Sequence, residues 1–105
     1  IDATLLRAYY SRQQLFEVFM DALLKVAELE LQIRQFETAL NHAQRALSED
    51  RCLEVAHRLA MRAYAGLGNR AGIMRQYEAC CQALEDEFRA KPSEQTRQLY
   101  TTLTK

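Results

Sequence analysis

The chain has 105 residues, enough for one domain with a modest hydrophobic core. Its 14 lysine and arginine residues balance 14 aspartate and glutamate residues, so it lacks the basic excess of a domain that binds nucleic acid through phosphates. Three glycines and one proline are too few for the frequent turns of an all-β chain, and they predict long helices instead.

Cysteine usage and hydropathy indicate a reducing, cytoplasmic setting. Cys52, Cys80 and Cys81 form neither a disulfide framework nor a zinc-binding pattern. The sequence shows no signal peptide, and Asp21 and Lys25 interrupt the most apolar stretch before it reaches membrane length. Because the chain begins with an isoleucine instead of methionine, we expect it to be a fragment of a larger protein.

Residues 1–14 predict an N-terminal helical segment, which is clearest from Thr4 to Tyr10. The sequence leaves open whether this segment continues into the next helix or bends near Ser11. Its apolar side chains are candidates for a homodimer contact or for a cover at the end of the domain: Leu5, Leu6, Tyr9 and Tyr10.

Two amphipathic helices are expected next, over residues 15–33 and 36–48. In the first, apolar residues recur three and four positions apart, which is typical of a helix with one apolar face. These are Leu15, Phe16, Phe19, Leu23, Val26, Ala27, Leu31 and Ile33. The second carries mostly small residues on one face, which suit a close helix–helix approach: Ala39, Leu40, Ala43, Ala46 and Leu47.

Two longer helices and a short final one complete the chain. A helix over residues 53–67 ends at Gly68, and Asn69 is a good N-cap for the helix over residues 70–89. Pro92 prevents further continuation, and Ser93 is expected to cap the last helix. The side chains expected to face inward are Ile73, Met74, Tyr77, Cys80, Cys81, Leu84 and Phe88, followed by Leu99, Tyr100 and Leu103.

A shift of 34 residues superimposes one predicted helical hairpin on the other without a gap. Ala39 then falls on Ile73, Ala27 on Met61, and the turn at residues 34–35 on residues 68–69. A period of 34 is that of tetratricopeptide repeats (TPRs), although two unrelated amphipathic hairpins would also overlay in this way. We therefore expect a single all-α domain: a TPR-like right-handed stack of antiparallel helical hairpins, over residues 15–50 and 51–90, with a C-terminal capping helix at 93–104.

Several segments resemble the bacterial transcriptional activator domain, a TPR-like domain that follows a winged helix in antibiotic-pathway regulators of actinomycetes and occurs in related large regulators. They are HRLAMRAY from residue 57, GNR from 68, LEDEF from 84 and PSEQTRQLY from 92, with FETAL from 36 matching the first repeat. The segment after Pro92 is the most specific part, and the resemblance covers about residues 15–103. The chain departs from the family at Arg34-Gln35, where a Gly-Asp-like turn is usual, and at Asp50-Arg51, where Asp-Pro is frequent.

The resemblance implies a protein-interaction and regulatory module of a bacterial transcriptional regulator. Such a domain packs against the DNA-binding domain, assists dimerisation or receives a signal, while DNA binding lies in a domain missing from this chain. A stand-alone TPR adaptor that binds a peptide or protein partner in its groove is the alternative. An internal relay domain of a larger signalling protein is a third interpretation.

In stacked helical hairpins the first helix of each repeat lines a concave groove. The partner-binding residues expected from this phase are Asp21, Leu24, Glu28 and Gln32 from the first repeat, and Val55, Arg58 and Arg62 from the second. An acidic wall would thus face a basic wall. The pattern predicts either that the groove binds a polar peptide or that salt bridges close it.

No catalytic, metal or cofactor site is expected, so the chain is predicted not to be an enzyme. His42 and His57 lie on different helices without further converging ligands, and Cys52 is five residues from His57, the wrong phase for a nucleophile–base pair. His57 is expected to pack partly buried, and Cys80 and Cys81 to act as small apolar side chains. The expected partners are proteins, including a second copy, and neither nucleic acid nor membrane.

Overall fold

The computed structural model describes residues 2–105, and all regular structure in this range is α-helical. The six helices are α1 (Ala3–Tyr9), α2 (Arg12–Gln32), α3 (Phe36–Glu49), α4 (Glu54–Gly66), α5 (Arg70–Phe88) and α6 (Glu94–Leu103). The predicted all-α class is confirmed.

A break at Tyr10 and Ser11 separates α1 from α2. Tyr10 is extended, with φ −127° and ψ 139°. The Ser11 hydroxyl accepts a hydrogen bond from the Gln14 amide, and the Gln14 side chain accepts one from the Ser11 amide. This reciprocal capping box starts α2 at Arg12, so the chain bends near Ser11 and residues 12–14 belong to α2. Within the described residues α1 buries no side chain and contacts only α2 among the helices.

The helices pair in chain order, and α4 lies at the centre. The pairs α2–α3, α3–α4 and α4–α5 pack together, while α4 also contacts α2 and α6. Because α4 has neighbours on several sides, nearly half of its residues are buried: Ala56, His57, Leu59, Ala60, Met61 and Ala63.

The two hairpin turns share one backbone conformation. Arg34 and Gly68 both adopt positive φ, at 63° and 70°. The amide that follows each of them closes the turn on a carbonyl five residues earlier, at 2.7 Å for Gln35 and 2.9 Å for Asn69. Since α3 begins at residue 36 and α5 at residue 70, the 34-residue period found in the sequence is also that of the backbone.

Small side chains fill the core where α2, α3 and α4 approach each other. One buried cluster contains Ala27, Leu31, Ala39, Ala43, Leu59, Ala60 and Ala63, and a second contains Met20, Ala46, Leu47 and Ala56. Alanine at the contact positions lets helix axes come close, as the alanine-rich face of α3 predicted.

Two side chains predicted to face inward are exposed instead. Met74 is 42% exposed and Phe88 is 66% exposed. Both lie on the apolar side of α5 by helical phase. Phe88, however, is the last residue of that helix and lies beside the turn at residues 89–93, before α6 begins.

Candidate interaction surface

A groove of about 380 Å³ runs between α2, α4 and α6. Four of the residues predicted from the sequence line it: Glu28 from α2, and Val55, Arg58 and Arg62 from α4. The opposite wall comes from α6 and consists of Gln95, Gln98, Leu99 and Thr102. Three helices therefore build the groove, and six of its nine lining residues are polar or charged.

The acidic and basic walls meet at one place, through a two-pronged ion pair. Arg62 Nη1 lies 2.6 Å from Glu28 Oε2, and Arg62 Nη2 lies 3.3 Å from Glu28 Oε1. Both side chains are partly exposed, so solvent weakens the attraction. The pair links α2 to α4 and fixes the planar guanidinium in one orientation.

Arg58 is held by a second polar cluster, which fastens α6 to α4. Its Nη1 donates to Thr96 Oγ1 at 2.9 Å, and the Thr96 hydroxyl donates in turn to Glu54 Oε1 at 2.8 Å. The Ser93 amide donates to the same carboxylate oxygen at 2.9 Å. Thr96 is fully buried, and these bonds satisfy its hydroxyl.

The carboxyl of Glu54 is ionised at neutral pH in this cluster. Burial alone would raise its pKa, but hydrogen bonds from Ser93 and Thr96 and the nearby charge of Arg58 outweigh that effect and lower the pKa below 4.5. A negative charge therefore lies at the start of α4, where its interaction with the helix dipole is favourable.

The remaining predicted groove residues lie outside the groove. Asp21 is exposed and pairs with Lys25 at 3.3 Å, one turn further along α2. Leu24 is half-buried against both core clusters. Gln32, the last residue of α2, is exposed.

The candidate dimer residues of the N-terminal segment are largely exposed. Tyr9 is 80% exposed, and Leu5 and Tyr10 are also open to solvent, while Leu6 is half-buried. Phe16, Val18 and Phe19 are exposed as well, in the half of α2 that adjoins α1. Together these residues give the N-terminal end of the domain an apolar character.

Sequence reasoning missed the α6 wall of the groove. Gln95, Gln98, Leu99 and Thr102 recur three and four residues apart and hence share one face of α6. That spacing was visible in the sequence. The close approach of α6 to α4 was not, because it depends on the buried bond between Thr96 and Glu54.

His57 belongs to a buried polar chain across α3, α4 and α5. Its Nδ1 accepts from Gln76 Nε2 at 2.7 Å, and its Nε2–H donates to the Arg51 carbonyl at 2.7 Å. Gln44 Nε2 donates to Gln76 Oε1 at 2.9 Å. Burial lowers the pKa of His57, which is 3% exposed and thus more deeply buried than expected. The neutral ring fits this bonding pattern, and its role is structural.

Among the three cysteines, Cys80 has the most deeply buried thiol. Cys80 is fully buried, and burial raises its pKa to about 12, which leaves it an inert thiol. Between residues 2 and 105, no three His, Cys, Asp or Glu side chains converge as metal ligands. None of the six helices is long and apolar enough to cross a membrane.

The paired hairpins and the repeated turn define an all-α domain built from two similar helical hairpins. Residues 4–104 match the bacterial transcriptional activator domain family. The match covers essentially the whole chain, so the chain belongs to this family, and the resemblance seen in the sequence is confirmed. No curated protein and no solved structure matches the chain significantly.

Proposed function

We propose that this chain is the protein-interaction and regulatory domain of a bacterial transcriptional regulator, and that DNA binding lies in another domain. Family membership supports the regulatory role. The equal numbers of acidic and basic residues argue against binding of this chain to nucleic acid through the phosphate backbone. The observation that carries the proposal is the groove between α2, α4 and α6, whose two arginines are held in place by Thr96 and Glu28.

The architecture that goes with this function is a right-handed TPR-like stack within one domain. Its units are the hairpins α2–α3 and α4–α5, and α6 is the capping helix over α4. Contacts of α4 with both α2 and α6 support this arrangement, because they bring one helix of each unit to the same side.

The groove suits a peptide segment with both a carboxylate and an apolar side chain. A guanidinium has five N–H donors, of which Arg58 uses one and Arg62 two in the contacts described above. The remaining donors can bind a carboxylate of the partner. Val55 and Leu99 supply the apolar part of the lining.

The N-terminal end provides a second, apolar contact. Tyr10 lines a shallow pocket together with the exposed Val18 of α2, while Leu5 and Tyr9 are exposed and Leu6 is half-buried on the preceding α1. Exposed apolar side chains of this kind often mark protein contacts. We assign this end to contact with another domain of the same regulator or with a second copy of the chain. Both occupants are consistent with a cytoplasmic transcription regulator.

The groove is tested with Val55→Glu in the full-length regulator, because a carboxylate at this position competes for Arg58 and Arg62. Thr38→Glu, which adds the same charge on the exposed face of α3, is the matched control. We expect V55E to reduce promoter activation about 10-fold, equivalent to about 1.4 kcal/mol of lost partner affinity, without changing promoter binding. Unchanged activation in V55E would refute partner binding in the groove. Promoter binding by this chain alone would refute the claim that DNA binding lies in another domain.

The stand-alone adaptor remains the alternative, and the groove itself favours it as much as the regulator. The two differ in gene architecture. An adaptor requires no DNA-binding domain, so a native gene that encodes a winged helix beside this domain decides for the regulator.

A further inference from the structure

A second and larger cleft, of about 750 Å³, lies between α5 and α6. On one side, Tyr77 of α5 stacks on Tyr100 of α6, with ring centroids 4.0 Å apart and planes 5° from parallel. Glu78, Cys81 and Glu85 line the cleft from α5, and Arg97 lines it from α6. The cleft shares no lining residue with the groove between α2, α4 and α6.

The same construction occurs earlier in the chain. Glu78, Cys81 and Glu85 lie 34 residues after Gln44, Leu47 and Arg51. Helix α6 begins at residue 94 and α4 at residue 54, so Arg97 takes the place in α6 that His57 takes in α4. Gln44, Leu47, Arg51 and His57 line a groove together with α5. The open cleft on α5–α6 is therefore the counterpart of a surface on α3–α4 along which a helix lies.

The contacts of α5 on α3–α4 show what such a helix supplies. Gln76 bridges the two walls, since it accepts from Gln44 at 2.9 Å and donates to His57 at 2.7 Å. Further along, Asp86 and Glu87 lie 3.3 Å and 3.4 Å from the Arg51 guanidinium. In the middle of α5, an amide side chain thus meets polar side chains of α3 and α4. At its C-terminal end, two acidic side chains meet the basic Arg51.

The charges of the open cleft are different at the equivalent positions. Glu85 stands 34 residues after Arg51, so α5 carries an acidic side chain where the turn between α3 and α4 carries the basic one that meets Asp86 and Glu87. Lys91, from the turn before α6, also lines the cleft. Glu78 and Arg97 replace the neutral Gln44 and His57, and an amide can donate to the first and accept from the second. Tyr77 and Tyr100 are only partly buried, which leaves apolar ring surface available for contact.

We propose that this cleft receives an amphipathic α-helix of a partner protein, in the position that α5 takes against α3–α4. The helix carries an amide side chain between Glu78 and Arg97, and lysine or arginine about ten residues later, facing Glu85. This inference rests on the proposed interaction function and gives it a second surface with a defined partner chemistry.

The probe is a fluorescein-labelled peptide with the sequence of residues 70–88, in which Asp86 and Glu87 are replaced by lysine. The unaltered peptide is the control, and binding to the chain is measured by fluorescence anisotropy. We expect the altered peptide to bind about 10-fold more tightly, because its lysines face Glu85 where the native acids are repelled. In the Glu85→Lys chain the preference reverses in favour of the unaltered peptide.

Glu17→Lys is the matched charge change, on the exposed face of α2, and should leave both affinities unchanged. Circular dichroism checks that E85K and E17K fold, which is expected because both positions are exposed. Equal affinities for the two peptides, or no effect of E85K on their order, would overturn the proposal.

Two other occupants give distinct results, and both overturn the assignment to a partner. Light scattering that shows a dimer which E85K dissociates means that a second copy fills the cleft. A longer native chain that fails to bind the altered peptide, while this chain binds it, means that the protein's own sequence fills it. Val55→Glu should not affect peptide binding, so failure of this inference is separable from failure of the groove.

Discussion

The two helical hairpins share one backbone arrangement at their turns but pack against their neighbours through different side chains. Their turns superimpose at residues 34 and 68, and their helices end and begin in step. At equivalent positions, however, Ala27 corresponds to Met61 and Leu23 to His57. The hairpin α2–α3 has an open outer side, whereas α4 is enclosed by α2, α3, α5 and α6. The repeat thus sets the helix geometry, while the number of neighbouring helices decides which side chain each position needs.

The sharpest test of this difference is Met61→Ala. Met61 and Ala27 are both fully buried, but only Met61 is large, so its truncation leaves a cavity at the centre of the fold. We expect a loss of about 3 kcal/mol in the free energy of unfolding, measured by urea denaturation. Met74→Ala, at a position that is 42% exposed, should cost less than about 1 kcal/mol. Similar losses for the two methionines would contradict the central place of α4.

Replacement of His57 by the residue of the first hairpin is the next largest effect. His57→Leu removes the partners of Gln76 Nε2 and of the Arg51 carbonyl inside the protein. We expect a loss of about 2 kcal/mol, because a buried polar group without a partner keeps its desolvation cost. His57→Gln, which can restore one or both bonds, serves as the control and should lose less stability in the same denaturation experiment.

The pH dependence of stability provides an independent check on His57. Since burial lowers its pKa from 6.5 in the folded chain, the unfolded chain binds more protons below that pH. Its contribution to stability is complete above pH 6.5 and is lost as the pH falls from there toward the folded-state pKa. The difference in unfolding free energy between wild type and H57Q should therefore shrink between pH 7 and pH 5. A difference that stays constant over this range would show that His57 is not buried in its neutral form.

The turns compare glycine and a larger residue in one backbone conformation. Gly68→Ala should cost about 1 kcal/mol, because a side chain disfavours its φ of 70°. Arg34→Gly should gain less than about 1 kcal/mol, since it relieves the same strain but loses the contact of Arg34 with the Phe36 ring, 5.3 Å from its centroid. Thermal unfolding of the two variants measures both changes in stability. Opposite signs are expected, and equal signs would mean that the two turns differ in solution.

The smallest effect is expected from the ion pair that joins the two hairpins at equivalent positions. Glu28→Gln should destabilise the fold by about 0.5 kcal/mol, because both partners are partly exposed. A double-mutant cycle with Arg62→Gln isolates the interaction and corrects for other contacts of each side chain. A coupling energy well above 1 kcal/mol would show that the groove is more enclosed than its exposure indicates.

The amino-acid sequence by itself determined the helical class, the repeat period and most helix ends. Ser11, Asn69 and Ser93 cap their helices by accepting a hydrogen bond from the amide three residues further on, and Gly68 terminates α4 by its own conformation. Such signals depend on a few neighbouring residues, so they can be recognised without knowledge of the fold. The family resemblance around Pro92 likewise rests on a short continuous segment, so it too can be recognised without knowledge of the fold.

Tertiary structure alone decided which polar residues meet. It joined Glu28 to Arg62 and left Asp21 paired with its helix neighbour Lys25. Helical phase had predicted both acidic residues to line the groove. It also placed Arg34, which local preference disfavours, in the left-handed turn, because the helices on both sides fix that geometry. Helical phase gives a side chain's direction around its own axis, whereas contact depends on where every other helix crosses.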